Sequence, residues 1–142
     1  GDQALATALD FVRAIKKTPI VVNDSRGFFA NRCVLNYILE GHLMLDEGVP
    51  PAMIENAGRM AGMPVGPLSL NDEVALDLGW KILNATKNDL GPASVSPVQE
   101  KILKFMVVDQ ERFGRKNGKG FYEYEGKSKK LWPGLDQLQS TK

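Results

Sequence analysis

The 142-residue sequence has one cysteine and one histidine. A single cysteine excludes an internal disulfide, and one residue of each kind excludes the usual four-ligand zinc sets. An excess of either charge is also lacking: 18 Lys and Arg stand against 17 Asp and Glu, a net +1. No long-range field therefore draws the chain to nucleic acid or to an acidic membrane. No apolar run approaches the ~20 residues needed to span a bilayer, and no signal peptide is evident, so a reducing, cytoplasmic setting is expected. No internal repeat occurs at solenoid periods. What is present is ordinary for a globular chain, 43% hydrophobic and 25% charged. The length suits one domain that buries ~68% of its unfolded surface.

The stretch that organises the chain is Asp24-Ser25-Arg26-Gly27-Phe28-Phe29-Ala30-Asn31-Arg32 and the apolar run behind it. Ile20-Val21-Val22 just before it is short, β-branched and apolar, as a strand covered on both faces would be. Asp24 and Ser25 suit an N-cap, and Gly27 allows a close turn. A helix from Phe28 to Glu47 would be roughly 30 Å long. Its apolar residues cover more than the ~100° stripe of an ordinary surface helix, so it is predicted as the central helix, shared between the core and a partner surface. Gly41 adds a place where another helix could approach closely, and a homodimer or larger assembly is expected.

The other elements follow from punctuation and period. Asp2 to Lys17 reads as an amphipathic helix, with Leu5, Ala8, Leu9 and Val12 at i, i+3, i+4 and i+7. Thr18-Pro19 stops it. Gly48 with Pro50-Pro51 ends the central helix, and Gly62 with Pro64 ends a second one carrying Met53, Ile54, Ala57, Met60 and Ala61. Gly66-Pro67 opens a third, whose stripe Leu70, Val74, Leu78 and Ile82 runs at strict i+4 spacing. Ser96-Pro97-Val98-Gln99 gives a capping box for a last helix carrying Val98, Ile102, Phe105 and Met106 and ending near Gly114. Short Gly/Pro connections point to a compact helical bundle.

Candidates for chemistry are few. His42 lies eleven residues after Asn31, on the same helical face but ~16 Å away. A general base must come within ~3 Å of its proton, so the two cannot share a reacting atom, and His42 is expected at the side of the helix or in an interface. Cys33 suits a small core residue, and Asp72 with Glu73 suits a helix first turn. Arg115 to Tyr124 combines three glycines, from Gly114 onward, with Arg115, Lys116 and Lys119. Its spacing is one short of a P-loop, and Gly120 replaces the magnesium-binding hydroxyl residue. No strand precedes it, as a dinucleotide loop would need. The second glycine-aromatic pair of an RNA-recognition motif is also missing. A tight turn whose aromatics seal the core edge accounts for it. For Asn31 and Arg32 the plain account is that Asn31 satisfies backbone groups in the opening turn while Arg32 pairs with Asp24 or another acid.

Gly27-Phe28-Phe29-Ala30-Asn31-Arg32 after an apolar strand resembles the signature of the 3-hydroxyacyl-CoA dehydrogenase family at the start of its C-terminal domain. Gly62-Met63-Pro64-Val65-Gly66-Pro67-Leu68, with Asp72 and Asp77, and Lys116-Asn117-Gly118-Lys119-Gly120-Phe121-Tyr122 resemble the same family in the same order. The chain departs from many relatives at Arg26, often Pro, and at Ala75, often Gly. These details resemble the bacterial multifunctional fatty-acid oxidation proteins more than the short single-function enzymes.

The resemblance implies an all-α bundle of about five helices, with one N-terminal strand left over from a preceding Rossmann domain. Residues 1–23 would complete that missing NAD-binding domain, 24–125 would form the helical domain, and 126–142 a loosely held tail anchored by Trp132. It further implies NAD bound by the missing domain, a 3-hydroxyacyl-CoA substrate, and Asn31 as the one catalytic position in the chain. Asn31 would orient the substrate oxygen and the catalytic histidine of a His-Glu pair that this chain lacks. The alternative is a non-catalytic helical dimerisation domain, a degenerate second copy in a multifunctional protein.

Overall fold

A computed structural model describes residues 1–140 and divides the chain into two units, 1–33 and 34–142. The first unit holds helix α1, Asp2–Ala14. Its last turn closes with Lys17 N donating to Val12 O and Lys16 N to Arg13 O, around Lys16 at φ +58°. That bond pair ends the helix before Thr18-Pro19 is reached. None of the helix's residues is buried. The strand predicted over Ile20–Val22 does not form: these residues carry no helix or strand and stay exposed. Isolated strand backbone has no ladder partner for its N–H and C=O groups.

Helix α2, Ala30–Asp46, starts two residues later than predicted. Ser25 O instead accepts from Phe28 N in a turn with Gly27 and Phe28 both at positive φ, so Asp24 and Ser25 do not cap the helix. The second unit takes α2 from residue 34 onward. It adds α3 (Pro51–Met60), α4 (Pro67–Val74), α5 (Leu76–Leu90) and α6 (Pro97–Lys104), followed by a π-helical turn over Phe105–Asp109. α2 and α3 end as their sequences predict, with Gly48 and Gly62 left-handed at φ +89° and +94°. Ser96 Oγ caps α6 by accepting from Gln99 N at 3.4 Å.

The helical class holds, but the predicted third helix is two. Ala75 at φ +80° and ψ 121° breaks the i+4 stripe between α4 and α5. Leu76 N donates across the break to Phe113 O at 3.1 Å, so the long-range contact overrides alanine's helix preference. An L-residue pays for this conformation, whereas glycine does not. Ala75→Gly is therefore expected to raise stability by about 1 kcal/mol. Thermal denaturation should show this as a Tm increase of about 3 °C.

Two further expectations are corrected. Gly41 is not left open for a partner: a Cβ there would meet Pro67 Cβ and Cγ at 2.7 Å, so α4 of the same chain already occupies the approach. The segment from Gly126 to Ser140 is no loose tail, and the last two residues of the expected tail lie outside the described ones. Strands β1 (Tyr122–Glu125) and β2 (Ser128–Leu131) pair antiparallel, Tyr122 with Leu131 and Glu125 with Ser128. A 3₁₀ turn over Pro133–Leu138 then buries Leu135 and Leu138 to 1% exposure beside Leu45, Ile54, Leu68, Ile102, Met106 and Phe121. Apolar area recovered by these leucines offsets part of the entropy of ordering the strap.

Candidate functional site

In the first unit, the Ser25–Phe28 turn and the opening turn of α2 surround a concavity of about 520 Å³. Val21, Val22, Asn23, Ser25, Phe28, Phe29, Arg32 and Cys33 line it. Gly27 lies against the stems of Asn31 and Arg32: a Cβ there would be 3.7 Å from Asn31 Cβ and 3.4 Å from Arg32 Cγ. Asn31 is exposed beside this hollow, as are Phe28 and Phe29. Cys33 is also exposed, against the expectation of a core residue. An exposed amide offers one acceptor and two donors. The lining contains neither histidine nor carboxylate, so the site can orient a ligand but has no group of ordinary general-base strength.

The second unit holds a buried polar centre that links its elements. His42, 1% exposed, meets Asn71 Oδ1 through Nε2 at 2.9 Å, and its ring lies 5.5 Å from that of Phe121. The carbonyl oxygen accepts, so the proton sits on Nε2. Nδ1 is a bare acceptor with no partner among the described residues. Desolvation therefore lowers the His42 pKa to about 4, against the raising effect of the Asn71 bond. A role for His42 at the side of the helix or in an interface is replaced by one in the core.

Glu55 Oε1 accepts from Leu68 N at 2.8 Å and Ser69 N at 3.2 Å, and Tyr122 Oη donates to Oε2 at 2.8 Å. Burial and this carboxylate together push the Tyr122 phenol up. Asp72 lies in the second half of α4, so the helix-dipole account fails. Its carboxylate accepts from Phe121 N at 2.8 Å, Tyr122 N at 2.9 Å and Tyr124 Oη at 3.0 Å. Burial raises the Asp72 pKa to about 6, although those bonds and Arg112 oppose the shift. Arg112 in turn donates to Gly120 O and Tyr122 O, and its guanidinium lies 4.0 Å over the Trp132 ring. The glycine-rich stretch is thus a turn whose aromatics seal the core, as its composition suggests.

Sequence reading missed these contacts because His42–Asn71, Glu55–Leu68 and Asp72–Phe121 span 29, 13 and 49 positions. A signal for the hairpin was available. Tyr122-Glu123-Tyr124 alternates with period 2, and Gly126, at φ +61°, opens a two-residue loop of the Gly-first kind. Among the described residues no group of three His, Cys, Asp or Glu could hold a metal, and no helix is long and apolar enough to cross a membrane.

These features define a small helical domain closed by a hairpin and tied together by buried carboxylates. The profile of the 3-hydroxyacyl-CoA dehydrogenase, C-terminal domain family matches residues 27–124, and the chain belongs to that family. It is 43% identical over 129 residues to the fatty acid oxidation complex subunit alpha of Shewanella loihica, covering 90% of this chain and 18% of the relative. The Vibrio cholerae subunit of the same name is 42% identical over 131 residues, covering 92% and 18%. The chain thus spans less than a fifth of these relatives' length. Among solved structures, (S)-3-hydroxybutyryl-CoA dehydrogenase from Ralstonia eutropha superposes with a TM-score of 0.75 at 28% identity, over 88% of this chain and 44% of that one. The dehydrogenase part of multifunctional enzyme 1 from C. elegans gives 0.62 at 26% identity, over 95% and 30%.

Proposed function

We propose that this chain is the substrate-side and assembly domain of an NAD-dependent (S)-3-hydroxyacyl-CoA dehydrogenase of fatty-acid β-oxidation, oxidising 3-hydroxyacyl-CoA to 3-ketoacyl-CoA. The observation that carries the reading is the family match over residues 27–124, which includes an exposed Asn31 in the opening turn of α2. The described residues do not fit NAD. Gly114 N donates to Lys119 O and Lys119 N to Gly114 O, which closes the glycine-rich loop on itself with no strand before it. Hydride chemistry therefore belongs to a separate Rossmann domain. The exposed Ile20, Val21 and Phe11, and an α1 that buries nothing, give that domain a surface to cover.

Within this chain Asn31 donates its amide N–H to the substrate's oxygen and holds it in line as the hydroxyl becomes a carbonyl. Groups placed in this way commonly contribute ~2–4 kcal/mol in the transition state. Assembly is supported by the second unit, where Leu35, Val74 and Ile82 remain exposed around an apolar groove of about 250 Å³.

In a full-length parent enzyme, Asn31→Ala is expected to lower kcat at least ~10-fold with Tm unchanged. The isolated chain should leave the nicotinamide absorbance of an acetoacetyl-CoA and NADH mixture constant. Unchanged kcat in the variant would favour the second reading, a non-catalytic dimerisation domain.

A further inference from the structure

The cations of the glycine-rich turn are not explained by the dehydrogenase reading. Gly118 and Arg115 form one wall of a second concavity, about 520 Å³ in volume. The hairpin loop with Lys127, Lys129 of β2 and Glu73 of α4 complete it. This size lies within the usual range for small-molecule sites. Four lysines of this unit face carboxylates directly: Lys87 pairs with Glu100, Lys101 with Asp46, Lys116 with Asp77 and Lys130 with Glu123. Those in the concavity do not. Lys129 Nζ donates to Ser69 Oγ at 2.5 Å and sits 4.6 Å over the Tyr122 ring, so it is held in place without a counter-charge. Among the described residues Lys127 has no carboxylate partner either. Glu73 is the one acid in the lining, and it is engaged by Arg115 at 3.4 Å across a well-exposed contact.

Three cations and one carboxylate leave a local charge of +2 inside a hollow on a chain whose net charge is +1. A monocarboxylate would neutralise half of it, whereas a phosphate dianion matches it. An extended polyanion needs a cationic track longer than this one hollow. We infer that the concavity between the Arg115–Gly118 turn and the hairpin loop binds a phosphate-bearing small molecule, with Lys127, Lys129 and Arg115 as the contacts. Arg115 can turn from its exposed Glu73 contact to the ligand with little loss, since such surface pairs are weak.

Inorganic pyrophosphate, titrated into the 142-residue chain and followed by amide NMR, tests the assignment. Saturable shifts are expected at Gly118, Gly126, Lys127 and Ser128, and sodium chloride at equal ionic strength should not reproduce them. The Lys127→Gln, Lys129→Gln double variant should weaken binding at least ~10-fold, the effect of losing two charge-assisted hydrogen bonds. Because Lys129 also touches Ser69, Lys127→Gln alone serves where the double variant loses its fold, with an expected weakening of about 3-fold. Shifts that fail to saturate, that chloride reproduces, or that survive in the folded variants would overturn the site. Vesicles carrying phosphatidate should leave the same resonances unbroadened. Broadening by vesicles without a pyrophosphate response would assign the cations to a lipid surface instead.

Discussion

Gly114→Ala is expected to destabilise the second unit by about 4 kcal/mol, combining backbone strain with overpacking. Gly114 stands at φ +94° and ψ −153°, a region that side-chain-bearing residues seldom occupy. A Cβ there would also run into the backbone carbonyl and Cα of Asp72. Neither partner can retreat. Gly114 is bonded to Lys119 in both directions, and the neighbouring Phe113 O holds Leu76 N. Asp72 is fixed by Phe121 N and Tyr122 N. Gly118→Ala is the comparison: φ is +76° there, but the nearest atom to a Cβ is Tyr124 O at 3.7 Å. Its cost should be about 1 kcal/mol, from the left-handed backbone alone. Urea denaturation of both variants measures the difference, and equal losses would rule out the overlap with Asp72 as the cause.

The second large effect is hidden in the wild type. His42 has its folded pKa lowered from 6.5 to about 4, so its contribution is present above pH 6.5 and is lost as pH falls toward 4. Asp72 has its folded pKa raised from 3.8 to about 6, so its contribution is present below 3.8 and is lost as pH rises through 6. Between pH 4 and 6 the two slopes are opposite and of similar size. Stability of the wild type should therefore be nearly flat in that window. His42→Gln, which can still donate to Asn71, removes one slope and should make stability fall by about 2 kcal/mol from pH 4 to 6. Asp72→Asn should give the reverse, a rise of about 2 kcal/mol over the same range. Below the window Asp46 and Asp77 take over. Lys101 and Lys116 hold their carboxyls below the usual range, so acid protonates them at a cost in stability. Chemical denaturation at pH 4, 5 and 6 tests the compensation. Parallel curves for all three proteins would show that neither buried group titrates with the fold.

What the sequence made legible follows the reach of each interaction. Gly48, Gly62 and Ser96 act within one turn of their helices, and the ends they mark are where the structure places them. Ala75 could not be read: alanine is the strongest helix former, and the Leu70–Val74–Leu78–Ile82 stripe runs on through it. The break comes from Phe113, 37 positions from its partner Leu76. The bonds of Asp72 and Glu55 could not be read because most of their donors are backbone amides, which leave no mark in composition. Asn31 stood out through the family signature and not through periodicity. The structure places it at an exposed helix start, with no side-chain partner among the described residues.

Leu135 and Leu138 fill the core, and Ser140 N and Oγ bind Asp46 at the far end of α2, 94 positions earlier. During synthesis these residues leave the ribosome after every helix they cover. Until they emerge, Leu45, Ile54, Ile102 and Met106 belong to a nascent chain whose central cavity has no closing face. Closure of this unit therefore waits for residues synthesised after its last helix. For the seconds of elongation in between, at roughly 5–20 residues per second, these apolar side chains lack the cover that Leu135 and Leu138 give them.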